Sequence, residues 1–196
     1  YALGLHYHHF HHPILPPIIA DLDKREASCD PLKVLVYLPF EDTHTVVSML
    51  REIGKGKFYY YASVKEAHDE GNVHLRPFSR RNFIEDLKSC CGVIANAGFT
   101  LTSEAIYLGK KLLVKPLAGQ LEQTSNARAL QHLNLGRVMQ RLDARLVKHW
   151  LSLPSPESVN YPDVAGEVAA WISQGQWNSI GDLSSRVWSM AQAGRT

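Results

Sequence analysis

At 196 residues, with 45% hydrophobic and 20% charged side chains, the chain has the balance of a globular protein able to bury one sizeable core. A formal net charge of +2 with no Lys/Arg block gives no footprint for nucleic acid, and no apolar run approaches the roughly 20 residues that cross a bilayer. Cys29, Cys90 and Cys91 make an odd count with two adjacent, a poor disulfide framework, so a reducing, cytoplasmic setting is expected.

The chain starts at Tyr1 without a methionine and reads as a piece of a longer protein. Residues 1–32 read as a linker. His6, His8, His9, His11 and His12 are interleaved with aromatics, and Pro13, Pro16 and Pro17 hold the backbone extended. Zinc sites draw fixed ligands from more than one element, so these histidines suggest packing between domains rather than a metal. The acidic pair Asp21 and Asp23 lies in this linker instead of at a strand end, and no metal site is expected.

Residues 33–40 form the first predicted strand, with Val34, Leu35, Val36 and Leu38 inward. After Glu41, Asp42 or Thr43 caps a helix to about residue 53, with Val46, Val47, Leu50 and Ile53 on its inner face. The aromatic run 58–61 lies in a strand over 57–62, and 73–75 is the third strand. It leads through Pro77 and Phe78 to a helix over 82–89, with Arg80 and Arg81 at its start, solvated or meeting an anion. Residues 92–95 form a buried strand that turns at Asn96-Ala97-Gly98 into a helix with Leu101, Ala105 and Leu108 on one stripe. Thr100 and Thr102 are its candidate caps and Gly109 its stop.

A strand over 112–115 ends at Pro116, and a polar loop over 118–123 precedes a helix over 124–133, closed by Asn134-Leu135-Gly136. A short strand at 138–139 and a helix from Asp143 to about residue 153 follow. Beyond Pro154-Ser155-Pro156 come helices over 163–172 and 180–193, with Trp171, Trp177 and Trp188 as packing anchors. The alternation predicts an α/β, Rossmann-like domain: a parallel sheet of about six strands with helices on both faces. The domain plan is a linker over 1–32, the sheet domain over 33–153, and C-terminal helices over 154–196.

The chemistry gathers at two successive strand ends. A glycine turn at a strand's carboxyl end points the next helix's first N–H groups at whatever sits above the sheet, an arrangement that attracts phosphate. Glu104, about one turn into that helix, suits accepting hydrogen bonds from sugar hydroxyls. The next strand end presents Gln120, Glu122 and Gln123. Ligands of open parallel sheets bind where the carboxyl ends open into a crevice. A dinucleotide oxidoreductase is disfavoured, because Phe40-Glu41-Asp42 stands where a G-x-G-x-x-G would follow the first strand.

The run Ala97-Gly98-Phe99, Ser103-Glu104-Ala105-Ile106, Leu108-Gly109-Lys110 and Pro116, followed by Glu122-Gln123 and Asn126-Ala127, resembles the nucleotide-sugar-binding half of GT-B glycosyltransferases. The resemblance covers roughly residues 33–145. It is nearest the bacterial cell-wall UDP-N-acetylglucosamine transferases and also similar to plant and animal UDP-glycosyltransferases.

By position, Asn96 stands where those enzymes have a phosphate-contacting histidine, Gly98 matches the signature glycine, and Glu104 matches the ribose-binding glutamate. Glu122 and Gln123 match the Asp-Gln pair that holds the donor sugar. The implied donor-binding set is Phe78 (meeting the nucleobase through main-chain groups), Asn96, Gly98, Phe99, Thr100, Glu104, Gln120, Glu122 and Gln123. The departures are Asn96 for histidine, Leu101 for a common serine and Glu122 for aspartate. The first two shift phosphate binding onto backbone N–H groups.

The resemblance implies a UDP-sugar as donor substrate, with no further cofactor, and transfer of an N-acetylglucosamine-type hexose to an acceptor hydroxyl. The catalytic base would lie in an N-terminal acceptor-binding domain of the full-length protein, so this chain alone would bind without turning over. A lipid-linked acceptor would place it at the inner face of the membrane. Two alternatives stay open: a sugar-nucleotide 2-epimerase sharing the architecture, and a non-catalytic binding or assembly module.

Overall fold

A computed structural model describes residues 2–19, 22–175, 177 and 179–193, so Asp21 lies outside the described residues. The elements in chain order begin with the short strands Gly4–Leu5 (β1) and Ile14–Leu15 (β2). Then come Asp30–Tyr37 (β3), Thr43–Ile53 (α1), Lys57–Tyr61 (β4), His68–Glu70 (β5), Val73–Arg76 (β6) and Arg80–Ser89 (α2). Cys90–Ala95 (β7), Phe99–Tyr107 (α3), Lys111–Val114 (β8), Leu121–His132 (α4), Arg137–Val138 (β9) and Ala144–Ser152 (α5) complete the sheet region. Val164–Ser173 (α6) and Ile180–Ala193 (α7) follow. None of the described helices is long and apolar enough to cross a membrane.

The chain divides into two compact units, Asp23–Glu157 and Tyr1–Leu22 with Ser158–Thr196. The sequence suggests boundaries at 32/33 and 153/154. The polar stretch 23–32 folds with the larger unit because the nearly buried Lys110 ammonium donates to the Ser28 carbonyl at 2.6 Å and the Lys88 carbonyl at 2.7 Å.

In the larger unit seven strands form one sheet in the order β5-β6-β4-β3-β7-β8-β9. β5 pairs antiparallel with β6, and every other pair is parallel. Without β5 the order is that of a doubly wound Rossmann sheet, which reverses direction between β3 and β7. There Tyr37 lies opposite Ala95. β7 is buried along its whole length, as a strand covered on both faces must be.

On one face Val34 and Val36 pack with Val46, Leu50 and Ile53 of α1 and with Val147 and Trp150 of α5. Leu35, pointing the other way by strand alternation, is equally buried. β5 is the element the sequence reading lacks: three polar residues give no apolar alternation. The usable signal is the Gly71-Asn72 pair that closes the hairpin, with Gly71 at φ 65.

In the smaller unit β1 and β2 pair in parallel, and the histidine-rich loop between them doubles back through positive φ at Phe10 and His11. The stretch read as an extended linker is therefore folded. Trp188 Nε1 and Ser184 Oγ of α7 both donate to the Ile14 carbonyl, at 2.7 and 2.9 Å. Leu15, Val164, Trp171, Leu183 and Val187 form its core. Of the expected tryptophan anchors, Trp171 is buried but Trp177 is half exposed, since it follows the end of α6 and donates to the Ile172 carbonyl from outside the core.

α5 can lie close to the sheet because Gly92, in the middle of β7, has no side chain. A Cβ there would lie 2.7 Å from the ring of buried Trp150. Gly92→Ala is expected to destabilise the unit by about 1–3 kcal/mol through overpacking. Thermal unfolding should show the melting temperature falling by several degrees, and Gly92→Ala/Trp150→Phe should recover part of that loss.

Candidate functional site

The three strands at the reversal of the sheet are tied together at their carboxyl ends. The Asn96 N–H donates to the Tyr37 carbonyl at 3.3 Å, and the Lys115 N–H donates to the Ala95 carbonyl at 2.9 Å. The Asn96 side chain, 7% exposed, donates from Nδ2 to the Lys115 carbonyl at 2.9 Å. Its Oδ1 is buried without a hydrogen-bond partner among the described residues. Buried acceptors are rarely left so, because desolvation without a bond is unfavourable.

Two residues on, Gly98 is the N-cap of α3, and no side chain caps the helix. Thr100 and Thr102 do not take the capping role expected of them, because both lie inside the helix rather than ahead of it. Thr100 is exposed. Thr102 Oγ1 donates back to the Gly98 and Phe99 carbonyls at 2.7 and 3.0 Å. By contrast, side-chain oxygens of Asp42, Ser79, Asp143 and Asp163 cap α1, α2, α5 and α6. A Cβ on Gly98 would meet nothing within 4 Å, so the helix start faces open space. An uncapped, open helix start is an anion site in waiting.

Glu104 is half-buried on the same helix, neither turned into the core nor free in solvent. Burial pushes its carboxyl pKa above the ordinary glutamate range, and the Arg80 guanidinium, at the start of α2, opposes that shift. Arg80, read from the sequence as solvated or anion-binding, thus belongs to the surroundings of Glu104. Phe99 is half-buried. Phe78 is 62% exposed, its ring 6.0 Å from Tyr37 and 5.7 Å from Phe83. It stands as an accessible aromatic face on a shelf of rings beyond β3 and β6, not as a core residue.

The loop after β8 meets the same rim. Gln120 is the N-cap of α4, also without a side-chain cap, and Glu122 beside it is exposed. Gln123 is buried, its Oε1 accepting from the Leu117 N–H at 3.1 Å, so its amide N–H groups are what it has to offer a ligand. One turn on, buried Asn126 donates from Nδ2 to the Ala97 carbonyl at 3.0 Å. That bond draws the start of α4, which begins at Leu121 rather than at the expected residue 124, against the turn carrying Asn96 and Gly98. The two groups of predicted residues therefore share one rim. Alongside, a cavity of about 230 Å³ is lined by residues including Lys115 and Arg128.

Sequence reading missed an ion pair at this rim: Lys115 Nζ lies 2.6 Å from Glu41 Oε1, with the side chains 14% and 15% exposed. The available signal was a charged residue following each of two apolar runs, Glu41 after the first and Lys115 at the end of the second.

Residues 7–154 match a family model described as Glycosyl transferase family 1. The chain belongs to that family. No curated protein matches it. Among solved structures, the glycotransferase of kitacinnamycin superposes with a TM-score of 0.52 at 14% identity, over 72% of this chain and 41% of that one. Arabidopsis thaliana UGT89C1 complexed with UDP-L-rhamnose gives 0.52 at 15%, over 71% and 39%. LpCGTa in complex with UDP gives 0.50 at 17%, over 72% and 38%. At such identity the likeness is one of fold, the Rossmann-like half of GT-B glycosyltransferases. The chain spans about two fifths of the length of these structures.

In this family 1 domain, burial of the Glu104 side chain disfavours its charged form. Its folded pKa is raised, so the stability it contributes is present below the ordinary glutamate range and is lost as pH rises through the raised value. Glu104→Gln is expected to raise the melting temperature at pH 7, with the difference vanishing once the pH is below that range. Parallel melts across pH check this, and a pH-independent difference would count against a buried charge.

Proposed function

We propose that the α/β unit is the donor-binding half of a UDP-sugar-dependent glycosyltransferase that moves an N-acetylglucosamine-type hexose to an acceptor hydroxyl. The observation that carries this reading is the uncapped start of α3, open above Gly98 at the reversal of the sheet, with Glu104 one turn along. The matched structures holding UDP and UDP-L-rhamnose support a nucleotide-sugar ligand.

The diphosphate sits against the α3 N–H groups, whose fixed dipoles take up charge as UDP leaves. Glu104 accepts hydrogen bonds from the ribose hydroxyls. Phe78 offers its exposed ring beside the nucleobase, while Gln120, Glu122 and the Gln123 amide hold the sugar. The acceptor, lipid-linked in this reading, and the base that takes its proton belong to a second domain across the cleft. The 196-residue chain then binds the UDP-sugar without transferring the sugar.

Calorimetric titration with UDP should be saturable, and Glu104→Ala should weaken it by about tenfold or more. Unchanged UDP binding by Glu104→Ala would remove the ribose assignment. No UDP binding by the unaltered chain would leave a binding or assembly module in place of the donor site.

A further inference from the structure

Resting on that donor-binding reading, we propose that Lys115 is the cation that neutralises the donor's diphosphate and that Glu41 holds it ready until the donor arrives. Lys115 is the first residue beyond β8, and Glu41 lies four residues beyond the end of β3. β7 runs between those two strands. A bond from Lys115 to Glu41 therefore has to pass over the carboxyl end of β7, across two strand spacings of about 10 Å in all. Asn96, the first residue of the turn that opens α3, donates from Nδ2 to the Lys115 carbonyl, so Lys115 adjoins that turn through its main chain. The ammonium is thus held on the same rim as the uncapped start of α3.

Three further observations fit a charge held in reserve. The lysine backbone is fixed on both sides, by its N–H to the Ala95 carbonyl and by Asn96 Nδ2 on its own carbonyl. Only the side chain is left to adjust. Both charged groups are about 85% buried by side-chain area, so neither is stable there alone, and Lys115 leaves Glu41 only for another anion. Asn96 Oδ1, attached to the same turn, is a buried acceptor without a partner among the described residues, one that an ammonium hydrogen or a ligand hydroxyl would satisfy.

The arrangement also answers a deficit. No side chain caps α3, and a lysine from the next strand supplies a positive side chain on the same rim. Glu41, which beside a diphosphate would otherwise repel it, is neutralised by the same lysine until the exchange.

Titration calorimetry of the whole chain with UDP, UMP and uridine separates the possibilities. Lys115→Met is expected to lower UDP affinity about tenfold while leaving uridine affinity within about twofold. Glu41→Gln is expected to raise UDP affinity, leave uridine unchanged and steepen the fall of UDP binding with salt. Because Lys115→Met strands a buried carboxylate and risks unfolding, Glu41→Gln/Lys115→Met, which removes both charges, must also show a reduced ratio of UDP to uridine affinity. An unchanged ratio in the lysine variants, with Glu104→Ala still losing UDP, overturns the role of Lys115 and leaves the donor site standing. Failure of the unaltered chain to bind UDP or uridine overturns both.

Discussion

Everything at the rim depends on the pairing of β3 with β7. Residues 34–36 of β3 and the whole of β7 are buried, so their register is fixed by packing as well as by the ladder, with Val36 opposite Ile94 and Tyr37 opposite Ala95. Crossovers in parallel sheets keep one hand, so the chain that steps outward from β3 to β4 and the chain that steps outward from β7 to β8 lay their helices on opposite faces. The loops leaving β3 and β7 must then part, and the gap between them is where α1 and α3 begin. No side chain in the gap needs to hold it open; the topology does that.

The division of labour among helix starts follows from this gap. Asp42 closes the start of α1 with its own carboxylate, as Thr45 N–H donates to Asp42 Oδ1 at 2.8 Å. The start of α3 has only glycine. Capping α3 would stabilise the domain and fill the positive end that a phosphate would use. The same trade recurs in the raised pKa of half-buried Glu104 and in the bare Asn96 acceptor. Local rules broken together in one small region mark a site shaped for something other than stability.

The sheet's central strands were legible because a strand covered on both faces must be an apolar run, as 34–36 and 92–95 are, and the helices because α1 carries its buried residues at helical spacing. The rim was legible in outline, through the glycine turn and the Glu-Gln-x-x-Asn run. Three things were not. β5 is held by one edge ladder and carries no apolar signature. The true cap of α3 lies ahead of the threonines, and cap position depends on where the turn ends rather than on which hydroxyls are near. The Lys115–Glu41 pair joins residues 74 positions apart, and strand order, which brings them within reach, is not written in either neighbourhood. Asn126 is an intermediate case. Its place in the run was visible, but its task of binding the two loops together required the Ala97 carbonyl to be located.

The same short, polar β5 that escaped the sequence has a further effect. It closes one flank of the sheet with His68-Asp69-Glu70, and Asp69 is engaged by Arg76 at 2.9 Å, while the other flank ends in the two-residue β9. Neither flank offers the long, uncharged template that recruits a strand from another molecule. The apolar sheet thus ends on both sides in short strands, which limits lateral pairing with another molecule.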